Sequence, residues 1–239
     1  MVRIVTWNVL AQPLIEPCNG RIHTFEERCT RIEAMLRELG GDVVFLQEVT
    51  PRHWKQLRRA FSETYALGRL ACHDQTDWPD WARSTDYGNV TLVRRATGRL
   101  LRCNAEYWHS SGTAYDTCTV SVADRTIHTI NIHLDSERHK LRQKELRQCI
   151  RATRDDTGPV LIAGDLNTDS SSTHRLLKSA GFRCMSSPDQ ITHSIDDKTI
   201  DWIYTRGLPT PSIRASTISV SLYQCGSDHY PVLTDLGGL

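Results

Sequence analysis

Several apolar runs in this 239-residue chain end in residues able to bind a cation or move a proton. Val160, Leu161, Ile162 and Ala163 read as a buried strand that closes on Gly164, Asp165 and Asn167. Side chains two residues apart in extended chain project to the same side. The Asp165 carboxylate and the Asn167 carboxamide therefore share a face where a core strand meets solvent. Gly, Asp and Asn also favour turns, so this stretch taken alone fits a plain strand end as well as a site. Other runs share its form. Val2–Trp7 ends at Asn8, and the run after Asp42 ends at Glu48. In Ile127–Leu134, alternation puts Ile130, Ile132 and Leu134 on one face and Asn131 and His133 on the other. Near the C-terminus Asp201 follows Ile200, and Ser227, Asp228 and His229 precede Tyr230. Each alone is accounted for as a capped strand or a satisfied polar group. Together they supply the donor set of a hard-cation site, with an imidazole able to exchange protons.

Thr24-Phe25-Glu26-Glu27 is a capping box, and Phe25, Cys29, Ile32, Leu36 and Leu39 follow at helical spacing until Gly40 and Gly41. Thr50-Pro51 predicts a helix start directly after the Glu48 strand, with Trp54, Leu57 and Phe61 as its inner stripe. Residues 64–134 read as strands and hairpins around a polar stretch, 72–86, that holds Trp78 and Trp81. A helix is expected over Ser136–Thr153 and a shorter one around Thr173–Ala180. Strands are expected at Ile200–Tyr204, Ile213–Leu222 and Pro231–Leu236. Strands outnumber helices, and helices fall between strands. Two sheets with helices on their outer faces, in one domain, satisfy that order.

Bulk properties exclude rather than select. Hydrophobic content of 39% and charged content of 24% suit a soluble globular chain. A net charge of +1 argues neither for nor against nucleic acid. The 8 cysteines contain no CxxC pair, which excludes a zinc pattern and a compact disulfide scaffold. Cys29 and Cys149 fall on apolar helix faces as buried thiols do, so an intracellular, reducing compartment (cytoplasm or nucleus) is expected. No run reaches the length of a membrane span, and a strand rather than a secretory leader is expected from Val2, so no membrane partner is expected.

The ordered set Thr6-Trp7-Asn8, Leu46-Gln47-Glu48, Asn131-Ile132-His133-Leu134, Gly164-Asp165-Leu166-Asn167, Ile200-Asp201 and Ser227-Asp228-His229 resembles the motifs of the endonuclease/exonuclease/phosphatase superfamily. The resemblance runs from residue 6 to residue 230. It implies a DNase I-like α/β fold, a four-layer α/β/β/α sandwich with the site at one edge of two mixed sheets. It implies Mg²⁺-dependent phosphodiester hydrolysis, with Mn²⁺ as a substitute. In that frame Glu48 is a metal ligand, with Asn8 and Asp228 as further or water-mediated ligands. His229 contacts the scissile phosphate, and Asp201 fixes its tautomer. Asp165 handles the attacking water, Asn167 holds phosphate oxygens and His133 donates to the phosphate.

The abasic-site endonuclease branch carries Tyr and Asn where this chain has Ile132, His133 and Leu134, a departure that counts against that activity. The opening Thr6–Ala11 is similar to deadenylases. His133-Leu134-Asp135-Ser136 followed by an Arg/Gln-rich helix is similar to tyrosyl-DNA phosphodiesterases. The expectation is a monomeric nuclease or end-processing phosphodiesterase acting on DNA or RNA. Removal of protein adducts, or hydrolysis of a small phosphorylated or lipid substrate, stands as the alternative. Arg142 is expected to reach a flanking phosphate and Trp202, beside Asp201, to line the site. Arg52, Lys55, Arg58 and Arg59 form a second basic cluster after Glu48.

Overall fold

A computed structural model of the chain describes residues 1–11, 24–72, 87–108, 114–208, 216–217 and 226–237. The polar stretch with Trp78 and Trp81, and most of the strand expected at Ile213–Leu222, lie outside the described residues.

β1 (Val2–Asn8) pairs in parallel with β2 (Val43–Val49) and antiparallel with β13 (Val232–Leu236). β5 (Gly88–Arg94), the short β3 (Tyr65–Leu67) and β4 (Ala71–Cys72), and β12 (Ser216–Thr217) complete this first sheet. The second sheet runs in the order β10 (Arg183–Cys184), β11 (Asp201–Arg206), β9 (Val160–Asp165), β8 (Arg125–His133), β7 (Ala114–Val122), β6 (Gly98–Tyr107). In each sheet the pair carrying site residues at its ends, β1/β2 and β8/β9, is parallel. Parallel neighbours finish at the same edge, so Asn8 meets Glu48 and His133 meets Asp165.

Alternation along the strands builds the layers. Val5, Trp7, Val44 and Leu46 pack against Ile32, Leu36 and Leu57 of α1 (Phe25–Leu39) and α2 (Pro51–Phe61). Ile4, Phe45, Val120, Leu161 and Ile203 fill the space between the sheets. Ile130, Ile132, Ile162 and Trp202 pack against Leu146 and Leu177 of α3 (His139–Ala152) and α4 (Ser171–Ser179). The order helix, sheet, sheet, helix is the expected sandwich. α1 starts on the expected capping box and ends on Gly40 at φ 59°, and α2 starts on Thr50 with Pro51 inside its first turn.

Gly164 decides how close β8 and β9 come. Its φ is +144°, and a Cβ there would lie 1.8 Å from the Ile132 carbonyl oxygen. Only glycine fits that approach, and the approach places His133 opposite Asp165.

Cys29 and Cys149 are buried free thiols, as their helical positions predict. Cys103 and Cys118 depart from the thiol reading. They face each other across β6 and β7 and form a disulfide with Cα atoms 4.1 Å apart. Their cross-strand register has no counterpart in the cysteine spacing.

Candidate active site

The site lies at the shared edge of the two sheets. β2 reaches it through a bulge. Leu46 pairs with Val90 and Val49 with Gly88, so Gln47 and Glu48 together oppose Asn89. Glu48 takes a left-handed backbone, φ 57°. A bulge of this kind re-aims a side chain at the end of a strand. Glu48 Oε2 accepts from the Ala11 amide at 2.8 Å, and Oε1 accepts from Asn8 Nδ2 at 2.9 Å. The same Asn8 nitrogen donates to Asp165 Oδ2 at 3.1 Å, and Asn8 Oδ1 accepts from the Leu10 amide at 3.0 Å. Asn8 is fully buried and clamps two carboxylates. That differs from the ligand expected at this position, because its amide rather than its oxygen faces the acids.

Asp165 Oδ1 accepts the Asn167 amide at 2.7 Å, an Asx-type turn that closes β9. Asn167, also left-handed at φ 51°, donates Nδ2 to the Leu134 carbonyl at 2.9 Å. His229 is anchored at ring and backbone. Its Nδ1 lies 2.8 Å from Asp201 Oδ2, its amide donates to Ser227 Oγ at 3.1 Å, and its carbonyl accepts from Trp7 Nε1 at 3.0 Å. Ser227 Oγ in turn donates to the Asn8 carbonyl at 2.6 Å, tying the last motif to the first. Thr192 Oγ1 accepts from the Ile200 and Asp201 amides at 2.9 and 3.1 Å and fixes the start of β11.

The remaining separations are wider than hydrogen bonds. His229 Nε2 lies 3.7 Å from Asp165 Oδ2, and His133 Nε2 lies 3.7 Å from Asp165 Oδ2 and 4.0 Å from Glu48 Oε1. These groups front a cleft of about 610 Å³ lined also by Tyr87, Arg138, His193 and Lys198. Burial alone would depress the His229 imidazole. The Asp201 charge and hydrogen bond, with Asp165 and Asp228, outweigh it and push His229 up to about 10. Burial and the neighbouring Asp201 charge raise the Asp165 carboxyl, with His229 and His133 offsetting part of the rise. For Asp228, burial is overcome by His193 and His229, which leave its carboxyl below the usual range.

The donor set fits a hard divalent cation. Carboxylates of Glu48, Asp165 and Asp228 converge on one cleft, and Asp201 Oδ1 is buried without a hydrogen-bond partner. Donor atoms of Asp165, Asp201 and His229 lie within 4.8 Å of one another, as do those of His193, Asp228 and His229.

The profile of the endonuclease/exonuclease/phosphatase family matches residues 5–229. The chain belongs to that family. Solved structures of similar fold include an endonuclease/exonuclease/phosphatase from Bacteroides vulgatus, at 18% identity and TM-score 0.76 over 98% of each chain. TDP2 of D. rerio, complexed with a single strand DNA product, matches at 15% identity and TM-score 0.72 over 98% of each chain. A mannosyl-6-phosphatase from Bacteroides thetaiotaomicron matches at 14% identity and TM-score 0.69 over 98% of this chain and 99% of that one. No curated protein matches the chain by sequence. The chain is thus a hydrolase of this family on the DNase I-like fold, and its described residues contain no helix long and apolar enough to cross a membrane.

Two expected substrate contacts are placed elsewhere. Trp202 is 2% exposed and donates to the Thr168 carbonyl at 3.1 Å, with its ring edge-on to His174. The alternation that turns Asp201 into the site turns Trp202 into the helix-side core. Arg142 donates to the Asp135 carbonyl at 2.9 Å and braces the loop after β8, while Arg138 lines the cleft, held by Asp135 at 2.7 Å. His193 is the residue that sequence reasoning missed. It sits in a polar connection, yet its ring centroid is 4.8 Å from that of His229 and its Nε2 is 3.6 Å from Asp228 Oδ2. A backbone bridge to His229 brings it there, and no local spacing announces that bridge.

Proposed function

We propose that residues 1–239 act as one catalytic domain that hydrolyses phosphodiester bonds in DNA or RNA with Mg²⁺, as a nuclease or an end-processing phosphodiesterase. The observation that carries this reading is the array Asp201, His229, Asp165. It is a buried carboxylate holding an imidazole whose free nitrogen faces a second carboxylate across an open gap of 3.7 Å. A phosphate oxygen or a water fits such a gap. Asp165, with its carboxyl raised, is suited to take the proton of the attacking water. His229, an imidazolium at neutral pH, donates Nε2–H to the phosphate, and Asp201 keeps the other proton on Nδ1. His133 is a second donor, and Asn167 lines the same cleft. Glu48 and Asp228 would hold the metal, which when bound supplies electrostatic stabilisation of charge on the phosphate and leaving oxygens.

Arg138 and Lys198 both line the cleft and favour a substrate with more than one phosphate. The fold serves a protein seen with single strand DNA and also a sugar phosphatase, so the substrate is decided by a panel. Single-stranded DNA, duplex DNA, RNA, poly(A), abasic DNA, a 5′-tyrosyl oligonucleotide and mannose 6-phosphate are compared, alongside a bis(p-nitrophenyl) phosphate reporter. Turnover of a nucleic acid that stops with EDTA and with Glu48→Gln supports the proposal. Turnover confined to mannose 6-phosphate, or surviving EDTA, overturns it.

A further inference from the structure

Outside the site, the outer face of the first sheet carries a cleft of about 500 Å³. Trp54 and Arg58, four residues apart on one face of α2, and Ser62, which caps its C-terminus, form one wall. Arg69, in the connection between β3 and β4, and Arg95, in the turn between β5 and β6, form the other. Among its lining residues there is no acidic side chain.

Some surface arginines are matched to acids: Arg3 to Asp235, Arg52 to Glu26, Arg138 to Asp135. Among the described residues, Arg58, Arg69 and Arg95 have no such partner. Arg58 lies over the Trp54 ring at 5.6 Å, and Arg95 Nε donates to the Ser62 carbonyl at 2.9 Å. Three guanidiniums drawn from separate segments line this one cleft. An anion can bridge them, and the planar fork of arginine suits phosphate oxygens. The half-buried Trp54 ring adds a face on which a base can stack.

We infer that this cleft binds single-stranded nucleic acid, engaging phosphates of the substrate several nucleotides from the scissile one. The inference rests on the proposed nucleic-acid reading. The cleft lies toward the end of the first sheet away from Glu48, because Arg95 follows β5, whose Val93 pairs with Val43 at the start of the strand that carries Glu48. Val43 to Glu48 is roughly 17 Å at strand rise, a distance that a few nucleotides of extended single strand cover.

The test compares the wild-type protein with an Arg58→Gln/Arg69→Gln/Arg95→Gln variant on a single-stranded 12-mer and on bis(p-nitrophenyl) phosphate. Reporter hydrolysis is expected to be unchanged, which also shows that the variant folds. KM for the 12-mer is expected to rise roughly tenfold with kcat retained. Three lost phosphate contacts remove about 2 from the slope of log KM against log salt. Between 50 and 200 mM NaCl the wild-type KM should therefore climb about twentyfold more than that of the variant. A triple lysine variant, which keeps the charge, should keep the slope. Equal KM and equal slope for wild type and glutamine variant would overturn the inference. Absence of 12-mer hydrolysis by the wild type would instead overturn the nucleic-acid reading.

Discussion

Between the two sheets lie two polar layers built from similar residues at neighbouring positions. Asn8, Glu48 and His133 sit at the edge, and Thr6, Gln47 and Asn131 sit one step deeper. The deeper layer is closed. Gln47 Nε2 donates to Asn131 Oδ1 at 2.7 Å and to Thr6 Oγ1 at 3.1 Å. Asn131 Nδ2 donates to Asp116 Oδ2 at 3.2 Å and to the Leu46 carbonyl at 3.1 Å, while Thr91 Oγ1 donates to Asp116 Oδ1 at 2.7 Å. Its polar groups answer one another across the sheets and leave no room for a ligand. The edge layer is open. Its imidazoles and carboxylates stand 3.6–4.0 Å apart, with Glu48, Asp165 and His229 held from behind by Asn8, Ala11, Asn167 and Asp201. Groups held from behind but not joined in front are pre-organised for something that arrives between them. The deeper layer fixes the register of the sheets, and the edge layer uses it.

The largest test of this contrast is Asp165→Asn. Losing the proton acceptor should lower kcat by about 10³–10⁴-fold. Removing one of two adjacent buried charges should leave the melting temperature unchanged or raised. A melting temperature that falls by more than a few degrees would place Asp165 with the structural layer. Gly164→Ala reverses the pattern. The added Cβ would meet the Ile132 carbonyl, so β8 and β9 must part, at a cost of about 3 kcal/mol or more. Urea unfolding should show that loss, and wild-type stability in this variant would mean that the close strand approach is not required. Asn131→Ala should also act through stability, by about 2–3 kcal/mol, because Gln47 and Asp116 each lose a buried partner and keep Thr6 and Thr91. Its residual kcat, measured well below the new melting temperature, should stay within about tenfold of wild type. A larger loss would show that the two layers are not separate.

Much of this arrangement was legible in the sequence, for a physical reason. Capping boxes, proline at a helix start and runs of buried strand act locally, so α1, α2 and the strand ends at Asn8, His133 and Asp165 could be read directly. The bulge at Glu48 could not. Simple alternation sends Gln47 and Glu48 to opposite faces, and only the pairing of β2 with β5 reveals the extra residue. His193, the arginine cleft and the Cys103–Cys118 pair share that character, since each is made by partners distant in the chain. Trp202 failed for a different reason. Adjacency to Asp201 in the chain does not carry into space, because neighbours in a strand face opposite ways.

Asp116 offers the finest probe, because it is the one carboxyl in the closed layer. It is fully buried, and desolvation pushes it up to about 7 despite hydrogen bonds from Thr91 and Asn131. In the unfolded chain it ionises near 3.8. Between those values the native state keeps a proton that the unfolded state has released, so stability falls as pH rises through that window and is level on either side. Asp116→Asn has no proton to lose. Its oxygen can accept from Asn131, and its amide can donate to Thr91, whose hydroxyl then acts as acceptor. Relative to wild type, the Asn variant should therefore gain about 2–3 kcal/mol between pH 5 and pH 8. Urea unfolding at the two pH values measures the difference. A constant offset would mean that Asp116 titrates normally, and that the deeper layer is wetter and less closed than the edge it supports.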